Sequence, residues 1–343
     1  MILSLKNKNM KKRVLISGIG GFIASHTLEH LLLNTDWDIV GIASWKHKGC
    51  PERLTEVLEG KDKSRVTIIN HDLSAPFTEQ TKKRIGHIDY VYNIASESHV
   101  DRSITDPVPF VQNNINVVLH MLELAREIKP ELFIQISTDE VYGAAPQGYD
   151  FPEWSTILPS NPYSASKAGQ EAIAISYWRT YGVPVVITNT MNNFGEFQDK
   201  EKFVAKVIEK TLKGESVPVH GTTEHIGSRF YLHARNHADA LLFITKNTKA
   251  TAYKEGEIDR PDRYNVVGEK ELNNLEMATL IASLVGKSLT YHLVDHHTSR
   301  PGHDRRYALD GTKLKKLGWV PPFDIETSLK KTIDWTISHP IWL

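Results

Sequence analysis

Short, nearly unbroken apolar runs alternate along the first half of the chain with longer stretches in which apolar positions recur every three or four residues. The runs Arg13–Ser17 (RVLIS), Asp38–Ala43 (DIVGIA), Val66–Asn70 (VTIIN), 90–95 (YVYNIA), 132–137 (LFIQIS) and 183–190 predict strands. The periodic stretches 22–33, Pro107–Ile128 and 165–181 predict helices. Largely apolar strands alternating with helices predict an α/β fold: a doubly wound parallel sheet covered on both faces. After about Asn192 the rhythm loosens into short strands, Gly and Pro punctuation and further helical patches. This predicts a smaller mixed α/β substrate domain that returns to the first at least once. The expected division is 10–190 for the larger domain, with a return segment near 229–262, and 191–228 plus 263–343 for the smaller. A length of 343 residues, at roughly 150 per domain, agrees with two.

Composition narrows the partners. Lys plus Arg and Asp plus Glu are 41 each, so the formal net charge is zero and the basic excess of a nucleic-acid binder is absent. No apolar run approaches the ~18 residues of a membrane span, and the start lacks a secretory apolar core. Residues 1–10 read as a loose tail, with Met10 as a second possible start. The single cysteine, Cys50, rules out an internal disulfide framework and suits a reducing cytoplasm, the expected location. Among 16 histidines, His233 and His237 are four apart and His296 and His297 adjacent, but no H-E-x-x-H accompanies them, so no metal site is expected.

Gly18-Ile19-Gly20-Gly21-Phe22-Ile23-Ala24 follows the first strand and opens a helix. Gly18, Gly21 and Ala24 occupy the three small positions of a dinucleotide loop, which allow a tight turn, close approach to a pyrophosphate and helix–strand packing. The helix N-terminus then offers N–H groups to phosphate. This marks the larger domain as Rossmann-type. An acid that would bind the adenosine ribose is expected at the end of the second strand, yet the chain has Ala43-Ser44-Trp45-Lys46-His47-Lys48 there. Asp72, followed by Leu73 after the third strand, is a candidate for the adenine amino group. An acid would repel a 2′-phosphate, and its absence beside lysines tilts the reading slightly from NAD toward NADP.

Tyr163 and Lys167 lie four apart as a helix begins, on one face. A nearby ammonium favours a phenolate and predicts a lowered Tyr163 pKa. Thr138, Asp139 and Glu140 stand at the carboxyl end of the fifth strand, the edge where open α/β sheets hold ligands. Two adjacent carboxyls in a cleft suit opposed acid and base roles.

These stretches, with Ser96–Pro107 (SESHVDRSITDP), 137–143 (STDEVYG), 161–169 (NPYSASKAG), 192–195 (NNFG) and 300–310 (RPGHDRRYALD), resemble the extended short-chain dehydrogenase/reductases, and among them the dTDP-glucose 4,6-dehydratases. The resemblance spans nearly the whole chain. It implies a lyase. Tyr163 takes the hexose 4-hydroxyl proton while hydride passes from C4 to the nicotinamide, Thr138 shares that hydroxyl, and Lys167 tunes Tyr163 and holds the ribose. Glu140 removes the C5 proton, neutral Asp139 protonates the departing C6 hydroxyl, and hydride returns to C6. Asp139 separates this group from the epimerases. Gly18, Gly21, Phe22, Ile23, Ser44, Lys46, Asp72, Leu73 and Ala95 are expected on the cofactor, and the resemblance adds Asn114 and a tightly held cofactor that is NAD in the family. It places Ser98, His99, Asn192, Lys202, Arg229, Asn265 and Arg300 on a dTDP- or UDP-hexose. Arg229-Phe230-Tyr231 replaces the family's R-D-W and His220 its tyrosine, so the base stays open. A homodimer through Pro107–Ile128 and 165–181 is implied, with apolar faces at Val117, Val118, Met121 and Leu122 and at Ala172, Ile173, Ile175 and Trp178. The other readings are a sugar-nucleotide 4-epimerase or related enzyme, and a non-catalytic dinucleotide-binding regulator.

Overall fold

The computed structural model describes residues 11–46, 48–295 and 305–343. The tail 1–10, His47, His296, His297 and Arg300 lie outside the described residues. Six strands, β1 (Arg13–Ser17), β2 (Asp38–Ala43), β3 (Val66–Asn70), β4 (Tyr90–Asn93), β5 (Leu132–Thr138) and β6 (Val185–Thr190), join Asp262–Val266 in one seven-stranded sheet. Every pairing in it is parallel, and the order is β3-β2-β1-β4-β5-β6 and then Asp262–Val266. The chain reverses direction across the sheet between β1 and β4. In open α/β sheets such a switch point opens a crevice at the carboxyl ends.

Successive strand residues face opposite sides, so a strand buried on both is largely apolar. In β1, Val14 and Ile16 enter one core layer and Leu15 the other. The first layer packs α1 (Phe22–Asn34) and α8 (Ala234–Asn247). The second packs α5 (Pro107–Ile128) and α6 (Pro162–Tyr181). Val117, Val118, Met121, Leu122 and Trp178 are buried in that second layer, so these residues face the sheet rather than a second copy. Of the named α6 residues only Ala172 is exposed, with Ile173 and Ile175 half-buried.

Between these helices lie α2 (Pro51–Leu58), α3 (Glu79–Ile85) and α4 (Val100–Thr105). A third core, built on α7 (Phe203–Lys213), α9 (Asn274–Val285) and the C-terminal helix Ile325–Ser338, forms the smaller lobe. The expected boundary at 263 is corrected: Asp262–Val266 is an edge strand of the large sheet, and Leu314 and Trp319 enter the large core. The return therefore includes α8 and this strand, whereas Ser228–Phe230 pairs with Glu271–Asn273 outside the large sheet. Among the described residues no helix is long and apolar enough to cross a membrane.

Candidate active site

The switch point opens into a cleft of about 460 Å³ between the sheet edge and the smaller lobe. Its floor is tied together by polar side chains. The Ser17 hydroxyl donates to Asn93 Oδ1 at 2.8 Å and accepts from the N–H groups of Ile94 and Ala95 at 2.9 Å, which locks the ends of β1 and β4. Asn93 Nδ2 continues to Gln135 Oε1 at 2.7 Å under β5.

At one end stands the glycine loop. Gly18 has φ +68°, and a Cβ there would meet Ala95 Cβ at 3.0 Å, so both the turn and the close approach require glycine. The Gly21 N–H closes the turn on Gly18 O at 2.8 Å. Gly21 also caps α1 without a side-chain hydrogen bond, leaving the first helical N–H groups to a phosphate. Gly18, Gly21, Phe22, Ile23, Ser44, Lys46, Asp72, Leu73 and Ala95 all line this end. The two lysines that favour NADP carry acidic partners. Lys46 Nζ meets Asp72 Oδ2 at 2.6 Å, which holds the Asp72 carboxyl down to about 2. Lys48 Nζ meets Asp199 at 2.8 Å and Glu201 at 3.4 Å. Asn114 stands behind the wall, which its neighbour Asn113 joins. Asn114 Oδ1 accepts from the Glu97 N–H at 2.8 Å, and its Nδ2 donates to Ser166 Oγ at 2.8 Å, fixing the loop after β4 to α6.

At the other end β5 runs into a single tight turn, Asp139–Tyr142, closed by Gly143 at φ +76°. Thr138 Oγ1 donates to Asp139 Oδ1 at 2.7 Å. Asp139 Oδ2 is buried without a protein partner. Glu140 Oε2 accepts from Asn161 Nδ2 and from the Tyr307 hydroxyl, each at 3.4 Å. Burial pushes both carboxyls above their ordinary range, and Asp139's charge pushes Glu140 further. Arg229 opposes both shifts, and Lys202 opposes that of Glu140.

Tyr163 and Lys167 stand on the first turns of α6, whose start is set by a capping box at Asn161 and by Pro162. Tyr163 is buried beside the pair, with Phe110 edge-on at 6.3 Å. The expected lowering of its pKa is not seen. Burial, then Glu140, then Asp139 push the phenol up, and only Thr138's hydrogen bond pulls it down. Lys167 Nζ donates to Ile136 O at 2.7 Å and Gln170 Oε1 at 2.6 Å, and its charge does not offset the burial of the phenol. Burial lowers Lys167 itself to about 7.

Ser98, His99, Asn192, Lys202 and Arg229 line the cleft. Lys202 Nζ donates to Ser98 O at 3.1 Å, and His99 faces Glu201 at 3.3 Å. The Arg229 guanidinium lies over the Tyr307 ring at 4.3 Å. Asn265 is a correction: it is fully buried in the sheet, and its Nδ2 donates to Phe151 O and Asp310 O at 2.9 and 3.0 Å. Asn161 and Tyr307, which hold Glu140, were not singled out from the sequence, although both fall inside stretches that carry the resemblance. His233 and His237 turn inward to Glu196 (2.9 Å) and Asn193 (3.2 Å).

The sequence profile described as GDP-mannose 4,6 dehydratase matches residues 15–332. The chain belongs to the GDP-mannose 4,6-dehydratase family. Within this broad family it is 34% identical to dTDP-glucose 4,6-dehydratase of Escherichia coli, over 96% of this chain and 94% of that one. The dTDP-glucose 4,6-dehydratase of Streptomyces venezuelae, solved with NAD bound, superposes with a TM-score of 0.84 at 28% identity, over 96% and 98% of the two chains. The UDP-N-acetylglucosamine 4-epimerase of Methanobrevibacter ruminantium follows at 0.82 and 26%, over 96% and 100%. The fold is thus common to this solved dehydratase and this solved epimerase.

Proposed function

We propose that the protein is a nucleoside-diphosphate-hexose 4,6-dehydratase that converts a dTDP-glucose-type substrate to the 4-keto-6-deoxy sugar. One observation carries this reading: two buried carboxyls on consecutive residues share the end of the cleft with Tyr163. A 4-epimerase moves hydride at one carbon and has no use for a second acid–base pair. A silent dinucleotide-binding regulator has no use for either.

The glycine turn, the uncapped start of α1 and the wall at Ala95 fit a dinucleotide. NAD is the cofactor that this arrangement favours, because Lys46 and Lys48 are already matched by Asp72, Asp199 and Glu201. When bound, NAD would supply the hydride acceptor for C4 and the hydride donor for C6. Lys167 would hold the ribose, and its charge there would oppose the burial that keeps Tyr163 protonated. Tyr163 receives the proton of the 4-hydroxyl, which Thr138 orients. The resulting 4-ketone acidifies C5–H. Glu140 takes that proton and returns it to C5 once C6 is reduced; Arg229 favours the charged form of both carboxyls, and Lys202 adds to that on Glu140 alone. Asp139 carries its proton on the unpartnered Oδ2 and gives it to the C6 oxygen, which leaves as water. Arg229, Lys202 and Asn192 face the diphosphate side, where a guanidinium fork suits phosphate oxygens.

The test is to incubate the purified protein with dTDP-glucose and identify the product by mass and by its 4-keto chromophore in alkali. Loss of water supports the reading. A product of unchanged mass would make the protein an epimerase. A homodimer is proposed on the family resemblance and the exposed Ala172. Light scattering at micromolar concentration is expected to give twice the 38.8 kDa chain mass.

A further inference from the structure

The mechanism leaves one fully enclosed ion pair without a task. Arg263, on the edge strand Asp262–Val266, and Glu171, on α6, are both 0% exposed, and Arg263 Nη2 donates to Glu171 Oε2 at 2.7 Å. Removing two charges from water costs about as much as their attraction returns, so such a pair is weak evidence for stability. Its contacts point to another role. Arg263 Nη1 donates to the Tyr142 hydroxyl at 2.8 Å, and that hydroxyl donates to Glu153 O at 2.6 Å. Tyr142 ends the turn that begins with Asp139 and Glu140. The second carboxylate oxygen, Glu171 Oε1, accepts from Asn189 Nδ2 at 2.8 Å, and the same amide nitrogen donates to Thr138 O at 3.0 Å. Glu171 follows Lys167 by four residues and Tyr163 by eight, about one and two turns along one face of α6. The guanidinium lies over the Trp154 ring at 4.1 Å.

We propose that the Glu171–Arg263 pair is a positioning device for the reaction: it fixes the turn bearing Asp139 and Glu140 against the helix bearing Tyr163 and Lys167. Arg263 and Glu171 are not on the cleft wall, so neither touches substrate. The planar fork of arginine can serve both elements at once, one nitrogen to each, with fixed angles. A lysine would supply the charge without the second direction. The two acid–base centres lie on separate elements and must act on adjacent carbons of one sugar, so a shift between them is costly. A misplacement of about 1 Å can lower a rate by about a hundredfold.

This inference rests on the dehydratase reading. The test compares wild type with Arg263→Lys and with the double variant Arg263→Met/Glu171→Gln, which removes both charges together. Melting temperature, KM, kcat and the build-up of reduced cofactor are measured on each. Arg263→Lys is expected to hold KM within about twofold and to lose about 10–100-fold in kcat. The double variant leaves no uncompensated charge and is expected to recover the melting temperature but not kcat. Recovery of kcat together with stability, or wild-type kcat in Arg263→Lys, would overturn the proposal. Should wild type itself dehydrate no nucleoside-diphosphate hexose, the dehydratase reading fails, and amide hydrogen exchange over residues 139–143 judges the brace separately. Exchange there is expected to quicken about tenfold in Arg263→Lys, and unchanged exchange would also overturn it.

Discussion

The two ends of the cleft share one sheet edge but hold their charges in opposite ways. At the hexose end Asp139, Glu140, Tyr163 and Lys167 are all buried, and burial is the largest influence on each of their pKa values. At the adenosine end Lys46 and Asp72 meet in an exposed pair, with side chains 60% and 35% accessible, and Lys48 is similarly paired across the cleft mouth. Buried groups keep most of their electrostatic interaction, whereas exposed pairs are worth little after solvent screening. The hexose end is therefore where substitutions should act strongly. The adenosine end sets preference in small steps.

The sharpest way to break this contrast is Tyr163→Phe. On the proposed mechanism it removes the group that takes the 4-hydroxyl proton, so turnover should fall by about 10³–10⁴-fold and no reduced nicotinamide should form on rapid mixing. Asp139→Asn should cost less, about 10²–10³-fold, and leave a different trace. C4 is still oxidised, while loss of water slows, so reduced nicotinamide should accumulate. If the two variants give the same absorbance record, C4 and C6 do not have separate proton carriers.

The pH profile sharpens the contrast next. Glu140 must be ionised to take the C5 proton, and its pKa is raised by burial. A raised base pKa leaves it protonated to higher pH, so the acid limb of kcat should lie well above the ordinary carboxylate range. Lys167, lowered to about 7, loses its charge as pH rises, which should bring an alkaline limb close to neutrality. Arg229→Gln removes a cation that favours both ionised carboxyls, and should move the acid limb upward by about one unit. A limb that stays put would mean that Arg229 serves the diphosphate alone.

Much of the hexose end was legible in the sequence because its residues are contiguous. Thr138, Asp139 and Glu140 leave one strand, and Tyr163 and Lys167 open one helix, so spacing alone brings each set together. What spacing could not show was partnership across the fold. Lys167 reaches Gln170 and a carbonyl of β5, so burial sets the direction of the Tyr163 shift, opposite to the one expected. Asn265 read as a ligand, yet its register opposite Asn189 puts it inside the sheet. Arg263, two residues earlier, gave no signal at all: an arginine in a mixed polar strand (DRYNV) acquires meaning only beside Glu171, 92 positions away. The domain boundary failed for the same reason, since an edge strand added after the smaller lobe has begun looks like part of that lobe.

The smallest effect expected lies at the adenosine end, where the sequence tilted toward NADP and the structure tilts back. Lys46 is the cation placed to meet a 2′-phosphate, and it is held by Asp72 at 2.6 Å. Asp72→Ser removes that partner and leaves the lysine available. Exposed pairs are worth up to about 1 kcal/mol, so NADP should gain up to about fivefold over NAD. Both affinities must be measured, by calorimetry on protein stripped of dinucleotide. If Asp72 also holds the adenine amino group, its loss weakens NAD and NADP alike, whereas the ratio moves only through Lys46. A wild-type protein that binds NADP more tightly than NAD would show that Asp72 does not neutralise Lys46 in the complex. A ratio unchanged by Asp72→Ser would take the choice away from the lysine and give it to the short side chains at Ala43 and Ser44, whose size admits a phosphate without attracting it.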